Sequence, residues 1–453
     1  MADTLVFLGS TASNNAQFFT LASSGTSVET SFTGYGSGNA GPVDMTAFGG
    51  GTVFNGGLAG SQGLWKLDAS GNASQITDGS LSPDLNPLNL TAVGSTLFFS
   101  GTDAAGNGNL YVSDGTAGGT RALSVGNAGS GGLMPDEIVA ANGKVFFSGT
   151  DATGSTGLWV SDGTTAGTTE LAVANTDTQN IAQMGTGLHP SNITLANGQI
   201  FFAGTDSNGE VGLWKSDGTA AGTVELDISN AAAGGISPTS SNIVSFNGLT
   251  YFAGQDASGN IGLWVTDGSG GDTTELAIGN SSANGLAPVS LTVMNGSLYF
   301  GGTDASGNTG LWKSDGTAAG THELQVAGTA PGGLAPISLN VSDYPNAPMA
   351  VLNSKLYFAG AGADGTEDLW TSDGTGTGTV QISTPDANGT STGVLPTDFA
   401  ILGSTTNTTA GIAAAVAPMT IGTGHDTITF YASEDAYQGD AQFTISVDGK
   451  QVG

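Results

Sequence analysis

The chain has 453 residues, with 38 acidic side chains against 7 basic ones and a formal charge of −31. So anionic a surface repels phosphate backbones and anionic membranes, both of which need Lys and Arg to displace counterions, and this excludes nucleic acid and membrane insertion. Cysteine is absent, excluding a disulfide framework and a thiolate zinc site, while 76 glycines and only 10% charged residues favour turn-rich β structure over helix.

The opening residues, Met1-Ala2-Asp3-Thr4, lack the basic-then-apolar pattern of a cleaved signal peptide, and no apolar run is long enough to span a bilayer. With the acidic, glycine-rich composition, this gives the expectation of an extracellular or cell-surface protein without a recognisable cleaved N-terminal signal. A strand follows at Leu5-Val6-Phe7-Leu8, and then one unit recurs. Its aromatic slot is filled by Phe19 in the first copy, by Tyr111 in the third, and otherwise by Trp65, Trp159, Trp214, Trp264, Trp312 and Trp370. A proline marker recurs in step at Pro42, Pro87, Pro135, Pro190, Pro238, Pro288, Pro336 and Pro396, so both markers count eight units. Repeats of about forty to fifty-five residues with several strands each are the signature of a β-propeller, whose blades cannot bury their faces alone.

The clearest copy shows the strands by their punctuation. Ser290 to Met294 runs into Asn295-Gly296, a hairpin-turn dipeptide, and Leu298 to Thr303 ends at the turn residues Asp304 to Asn308. Leu311 to Ser314 then leads through Asp315-Gly316-Thr317 to a fourth strand over His322 to Val326. Repeats lie near 1–48, 49–95, 96–143, 144–198, 199–248, 249–296, 297–354 and 355–403. The first begins at its second strand, and the last is followed by an unpaired first strand, Phe399-Ala400-Ile401-Leu402, which can complete it. The expected fold is all-β: an eight-bladed propeller of four-stranded antiparallel blades over 1–403, closed by the C-terminal strand, with an open solenoid as the alternative. A linker at 404–420 and a partial β-sandwich segment at 421–453 follow.

Two sets of carboxylates recur at fixed places, Asp103, Asp151, Asp206, Asp256 and Asp304 in one turn and Asp114, Asp162, Asp217, Asp267, Asp315 and Asp373 in another. Beside Gly and Asn carbonyls they offer the hard oxygen donors that calcium takes, and Asp before Gly is equally what a tight turn requires. The aromatic slot has the same two sides, sugar stacking or a wedge between adjacent blades. His189, His322 and His425 occupy different registers without a nucleophile or metal motif, so no catalytic residue is assigned and the expectation leans away from an enzyme. The singular stretches are the insertions at Asp177 to Gly187 and Asp343 to Ala350, candidates for recognition.

The pattern Gly-Leu-Trp-Xaa-Ser-Asp-Gly-Thr-Xaa-Xaa-Gly-Thr-Xaa-Glu-Leu, at Gly212 to Leu226 and Gly310 to Leu324, resembles the ELWxxDGT repeat of bacterial surface or secreted proteins. The stretch from Asp426 to Lys450 is similar to the opening strands of calcium-dependent xylan-binding modules. That second resemblance implies ligand contacts from Glu434, Asp435, Tyr437, Gln438 and Asp440, and calcium as the cofactor. Together they give the expectation of an extracellular bacterial scaffold associated with polysaccharide or a cell-surface glycan. The alternatives are a polysaccharide-active enzyme at the channel mouth, or a self-assembling subunit pairing with another copy through its C-terminal segment.

Overall fold

The computed structural model describes residues 43–382 with their side chains, apart from 58–60, 69, 71, 78–80, 181–184, 239–242 and 337–348. Outside that span it describes strands alone, at 4–11, 14–21, 27–29, 40–42, 395–402, 419–421, 428–430, 446–447 and 450–451. Among the described residues there is no helix, and eight four-stranded antiparallel sheets follow one another along the chain. The fold is a β-propeller. Chain contacts separate Met1–Ala415 from Val416–Gly453, dividing the chain inside the expected linker. The second unit shows two short pairings, Met419–Ile421 with Ile428–Phe430 and Ser446–Val447 with Lys450–Gln451. The expected ligand contacts Glu434, Asp435, Tyr437, Gln438 and Asp440 lie outside the described residues.

A representative sheet runs Val289–Met294, Ser297–Thr303, Thr309–Ser314 and His322–Glu323 in order from the inside outwards. Inner strands of successive sheets pack beside each other, Ala40–Phe48 with Leu88–Val93 and Leu88–Val93 with Asp136–Ala141, which makes them the lining of the propeller. Thr4–Thr11 pairs with Asn14–Leu21 on one side and with Leu395–Leu402 on the other, so one sheet joins both ends of the repeat region. Sequence repeats and sheets are therefore offset by one strand. The outer strand is shorter than expected, ending at Glu323 and not at Val326, because Leu324 turns away after its N–H has bonded the Leu311 carbonyl.

The aromatic slot is interior. Trp159, Trp214, Trp264, Trp312 and Trp370 are buried, as is Tyr111, while Trp65 is half-buried. Each of those five tryptophans donates its Nε1–H to a glycine carbonyl of the neighbouring strand, as Trp214 does to Gly204 at 3.0 Å. Trp214 also stacks on Phe202 of its own sheet, centroids 6.3 Å apart, and joins a cluster with Phe146 and Val160 of the preceding sheet. It wedges two blades together. Burying such a side chain contributes roughly 1.5–3 kcal/mol or more. A Cβ at Gly204 would stand 2.8 Å from the Trp214 ring, so the indole needs glycine opposite it. Phe19 holds the same backbone register, opposite Phe7 and Glu29, with its side chain outside the described residues.

Antiparallel order places the turns at two ends. One, the hairpin end, carries the inner-to-second turn such as Asn295-Gly296 and the third-to-outer turn at Asp315-Gly316. The other, the loop end, carries the second-to-third turn at Asp304 to Asn308 and the long loop from each outer strand to the next inner strand.

Candidate functional site: the acidic loop end

Each repeated aspartate is held by its own turn. Asp315 Oδ1 accepts from the Thr317 N–H at 2.9 Å and hydroxyl at 2.7 Å, and Ser314 Oγ accepts from the Gly316 N–H at 3.0 Å. The same Thr bonding recurs at Asp114, Asp162, Asp217 and Asp373, and a Ser replaces the Thr at Asp267. Hydrogen bonds from these hydroxyls and amides hold the carboxyls below their ordinary range. In the other turn, Asp103 Oδ1 accepts from the Ala105 and Asn107 amides at 2.9 Å, and Asp151, Asp206, Asp256 and Asp304 do likewise two and four residues on. Among the described residues no group of three carboxylate or imidazole side chains is placed to hold one metal ion.

The cations are unevenly distributed between the two ends. All six basic side chains of the described propeller, Lys66, Arg121, Lys144, Lys215, Lys313 and Lys355, lie at the hairpin end. Three of them reach turn carbonyls there: Lys66 to Gly49 at 3.2 Å, Lys215 to Gly268 at 2.7 Å and Lys313 to Gly374 at 3.5 Å. Lys144 and Lys355 begin their strands opposite Ala141 and Leu352, and Arg121 pairs with Val112. Among the described residues, the loop end has no Lys or Arg.

Its acids come from two layers. On the inner strands, Asp44, Asn89, Glu137, Asn192 and Ser290 share a bulged register with left-handed backbone, φ between 51° and 58°. From there Asp44 Oδ2 accepts the Leu90 N–H of the next blade at 3.0 Å, and Glu137 Oε2 accepts the Ile193 N–H at 2.8 Å. Burial in these joints outweighs the hydrogen bonds and pushes the Asp44 carboxyl up to about 6 and that of Glu137 to about 7, with neighbouring Asp136 adding to the latter. Asp136 in turn accepts from Asn89 Nδ2 at 3.0 Å, and Ser290 Oγ is buried without a partner.

The second layer is a row of clefts between the second-to-third turn and the outer strand. Glu170, Glu225, Glu275 and Glu323 each face the glycine that opens the third strand of their blade, Gly157, Gly212, Gly262 and Gly310. Partial burial and the nearby turn aspartate push all four carboxyls up, Glu225 to about 7 through burial first and then the charges of Asp206, Glu210 and Asp227. A cavity of about 370 Å³ opens there, lined by Asp206, Glu210, Glu225 and Asp227 with Leu226 and Ile236 beneath. The blade before it has a 270 Å³ counterpart with Glu170, Thr176 and Asp177, so the start of the first insertion is folded into the propeller, Asp177 being fully buried. Most of the second insertion, at 343–348, lies outside the described residues.

Histidine plays no joint part: His189 is at the loop end with Nε2 buried and unpartnered, His322 begins an outer strand at the hairpin end, and His425 lies outside the described residues. Sequence reasoning found the turn aspartates and missed Asp44, Asp136, Glu137 and the outer-strand glutamates. The signal available was the register of the basic residues, every one within a few positions of a hairpin-end turn.

No protein-family model matches the chain, and no curated protein matches it. Solved structures do, at the level of fold. A puromycin-hydrolyzing peptidase of Mycobacterium tuberculosis is 12% identical, with 75% of this chain and 53% of that one covered and a TM-score of 0.47. A prolyl endopeptidase structure is 12% identical over 79% and 50%, TM-score 0.49. The β-propeller domain of the Trilobed protease from Pyrococcus furiosus is 10% identical over 75% and 96%, TM-score 0.39. The chain thus spans about half the length of the two whole peptidases. The expected polysaccharide-associated scaffold is corrected here: these propeller neighbours are peptidases or a protease domain.

Proposed function

We propose that this propeller is a recognition domain that takes a cationic polypeptide on its loop end. The observation that carries the proposal is the distribution of cations: the six described basic side chains share the hairpin end with the turn aspartates, while the loop end carries acids and no described Lys or Arg, with Glu137 and Glu225 pushed up by burial and by neighbouring acids. A rigid surface of one sign steers and retains a partner of the other sign, and fixed strands keep the charges from collapsing onto each other.

Fluorescence anisotropy with a labelled lysine-rich peptide tests this. Binding at low salt that weakens steadily as salt is raised, with no binding of the glutamate-rich counterpart, is the expected result. Absence of binding to the lysine-rich probe at low salt overturns the proposal.

A further inference from the structure

In an Asn-Gly pair the side-chain amide lies open to attack by the following backbone nitrogen, because glycine puts no side chain in the way. The pair occurs nine times in the chain, and eight of the copies lie among the described residues. Attack needs two freedoms: a glycine N–H that is not engaged as a donor, and an asparagine side chain able to swing onto that nitrogen. At the loop end the nitrogen is engaged. Gly108 N–H donates to the Gly131 carbonyl at 3.0 Å, Gly209 N–H to that of Asp206 at 3.1 Å and Gly285 N–H to that of Ser282 at 3.0 Å, which covers Asn107, Asn208 and Asn284. Asn55, inside a strand, is buried and donates from Nδ2 to Asn86 Oδ1 at 2.9 Å.

The other four copies are the two-residue turns of the hairpin end, Asn142-Gly143, Asn197-Gly198, Asn247-Gly248 and Asn295-Gly296. All four are exposed, both residues hold left-handed backbone, and the glycine N–H makes no backbone hydrogen bond. Here the next blade decides. Asn197 Nδ2 donates to Thr250 Oγ1 at 3.0 Å while its Oδ1 accepts from the Ser245 hydroxyl, and Asn295 Nδ2 donates to the Ser354 carbonyl at 3.3 Å. Asn142 and Asn247 make no side-chain hydrogen bond among the described residues. The cause is local: at the strand position of Thr250, the blades that follow Asn142 and Asn247 carry Ile200 and Leu298, which have nothing to accept an amide.

We propose that Asn142 and Asn247 are sites of spontaneous deamidation, and that contact with the next blade protects their counterparts Asn197 and Asn295. In the reaction the glycine nitrogen bonds to the asparagine Cγ and gives its proton to solvent base. The Cγ–Nδ2 bond breaks, ammonia leaves with a proton from water, and a cyclic imide remains. Water then opens either imide carbonyl, giving aspartate or isoaspartate. Each product adds one carboxylate to the hairpin end, at position 142 two residues before Lys144. Isoaspartate also lengthens the main chain of a turn that sets Ala141 opposite Lys144, or Phe246 opposite Leu249, and so disturbs the register of the two inner strands.

The test holds the full chain in mildly alkaline buffer and follows each site by peptide mapping with mass spectrometry, which separates asparagine, aspartate and isoaspartate. Conversion at Asn142 and Asn247 is expected to run at least about fivefold faster than at Asn197 and Asn295. Ser245→Ala with Thr250→Val removes both partners of Asn197, and in this variant, shown to be folded by circular dichroism, Asn197 is expected to convert as fast as Asn142 while Asn295 stays slow. In urea, where blade contacts are lost, the four sites are expected to convert at one rate. A margin below about fivefold in the native chain, or the same margin persisting in urea, overturns the proposal. Slow conversion of Asn197 in the folded double variant overturns the protective role of the next blade.

Discussion

At the hairpin end Lys215 reaches across to Gly268 of the next blade and Lys313 to Gly374, so two of the cations are taken up by joints between blades. At the loop end Asp136 and Glu137 adjoin each other, Glu225 faces Asp206, Glu210 and Asp227, and no described cation answers them. The same repeat thus builds one end that is tied internally and one that is left with unmatched charge. Tied groups stabilise the ring. Of the unmatched groups, Glu137 and Glu225 carry raised pKa values.

Substitution of glycine on the two ends of one blade sharpens the contrast most. Gly316, at the hairpin end with φ +96°, would place a Cβ 2.6 Å from Tyr251 Oη and 3.3 Å from Phe246 of the preceding blade. Gly307, at the loop end with φ +84°, has nothing within 4 Å of such an atom. Gly316→Ala is expected to destabilise by about 2–4 kcal/mol through strain and a blocked joint, and Gly307→Ala by about 1 kcal/mol through backbone alone. Urea denaturation measures both, and equal losses would deny that the two ends are built differently.

The pH dependence comes next. Burial holds the carboxyls of Asp44 and Glu137 at about 6 and 7, and partial desolvation with three neighbouring acids holds that of Glu225 at about 7, against 3.8 and 4.5 when unperturbed. Between those values the folded chain binds more protons than the unfolded one, so stability falls as pH rises from about 4.5 to about 7. The turn aspartates act oppositely, their depressed values giving stability that is lost as pH falls below 3.8. Melting temperature is expected to be higher at pH 5 than at pH 8, while affinity for a cationic peptide is lower at pH 5. A melting temperature that rises from pH 5 to pH 8 would break the assignment of desolvated acids.

The smallest effect concerns one latch. Lys215→Met removes a 2.7 Å bond to the Gly268 carbonyl, and a loss of about 1–2 kcal/mol is expected, with peptide binding unchanged. Denaturation and anisotropy on the same variant measure the two quantities, and a change in binding without a change in stability would contradict the division of roles.

Much of this architecture was legible because its causes are local. The Trp slot follows from one large side chain per blade, and the Ser-Asp-Gly-Thr turn from hydroxyls and a carboxylate bonding amides two residues away. The closing strand was legible from what the first repeat lacks, and Thr4–Thr11 does pair with Leu395–Leu402. The outer strand was overextended because its alternation continues past Glu323, whereas hydrogen bonding to the third strand stops after Leu324. The loop-end acids escaped notice for a different reason. Asp44 and Glu137 share their register with Asn89, Asn192 and Ser290, so no repeated acid marks it, and their burial depends on the next blade's strand. The repeated aspartates, by contrast, are already bonded by their own turns.

The most direct test of the central claim is charge reversal matched between the ends. Asp136→Lys with Asp227→Lys alters the loop end, Asp217→Lys with Asp315→Lys alters the hairpin end by the same net charge, and both are measured against the same lysine-rich peptide at fixed low salt. The account predicts that the loop-end pair weakens binding by about tenfold or more, while the hairpin-end pair stays within about threefold of wild type. Equal weakening by both pairs would show that the peptide senses only net charge, and would contradict a recognition surface at the loop end.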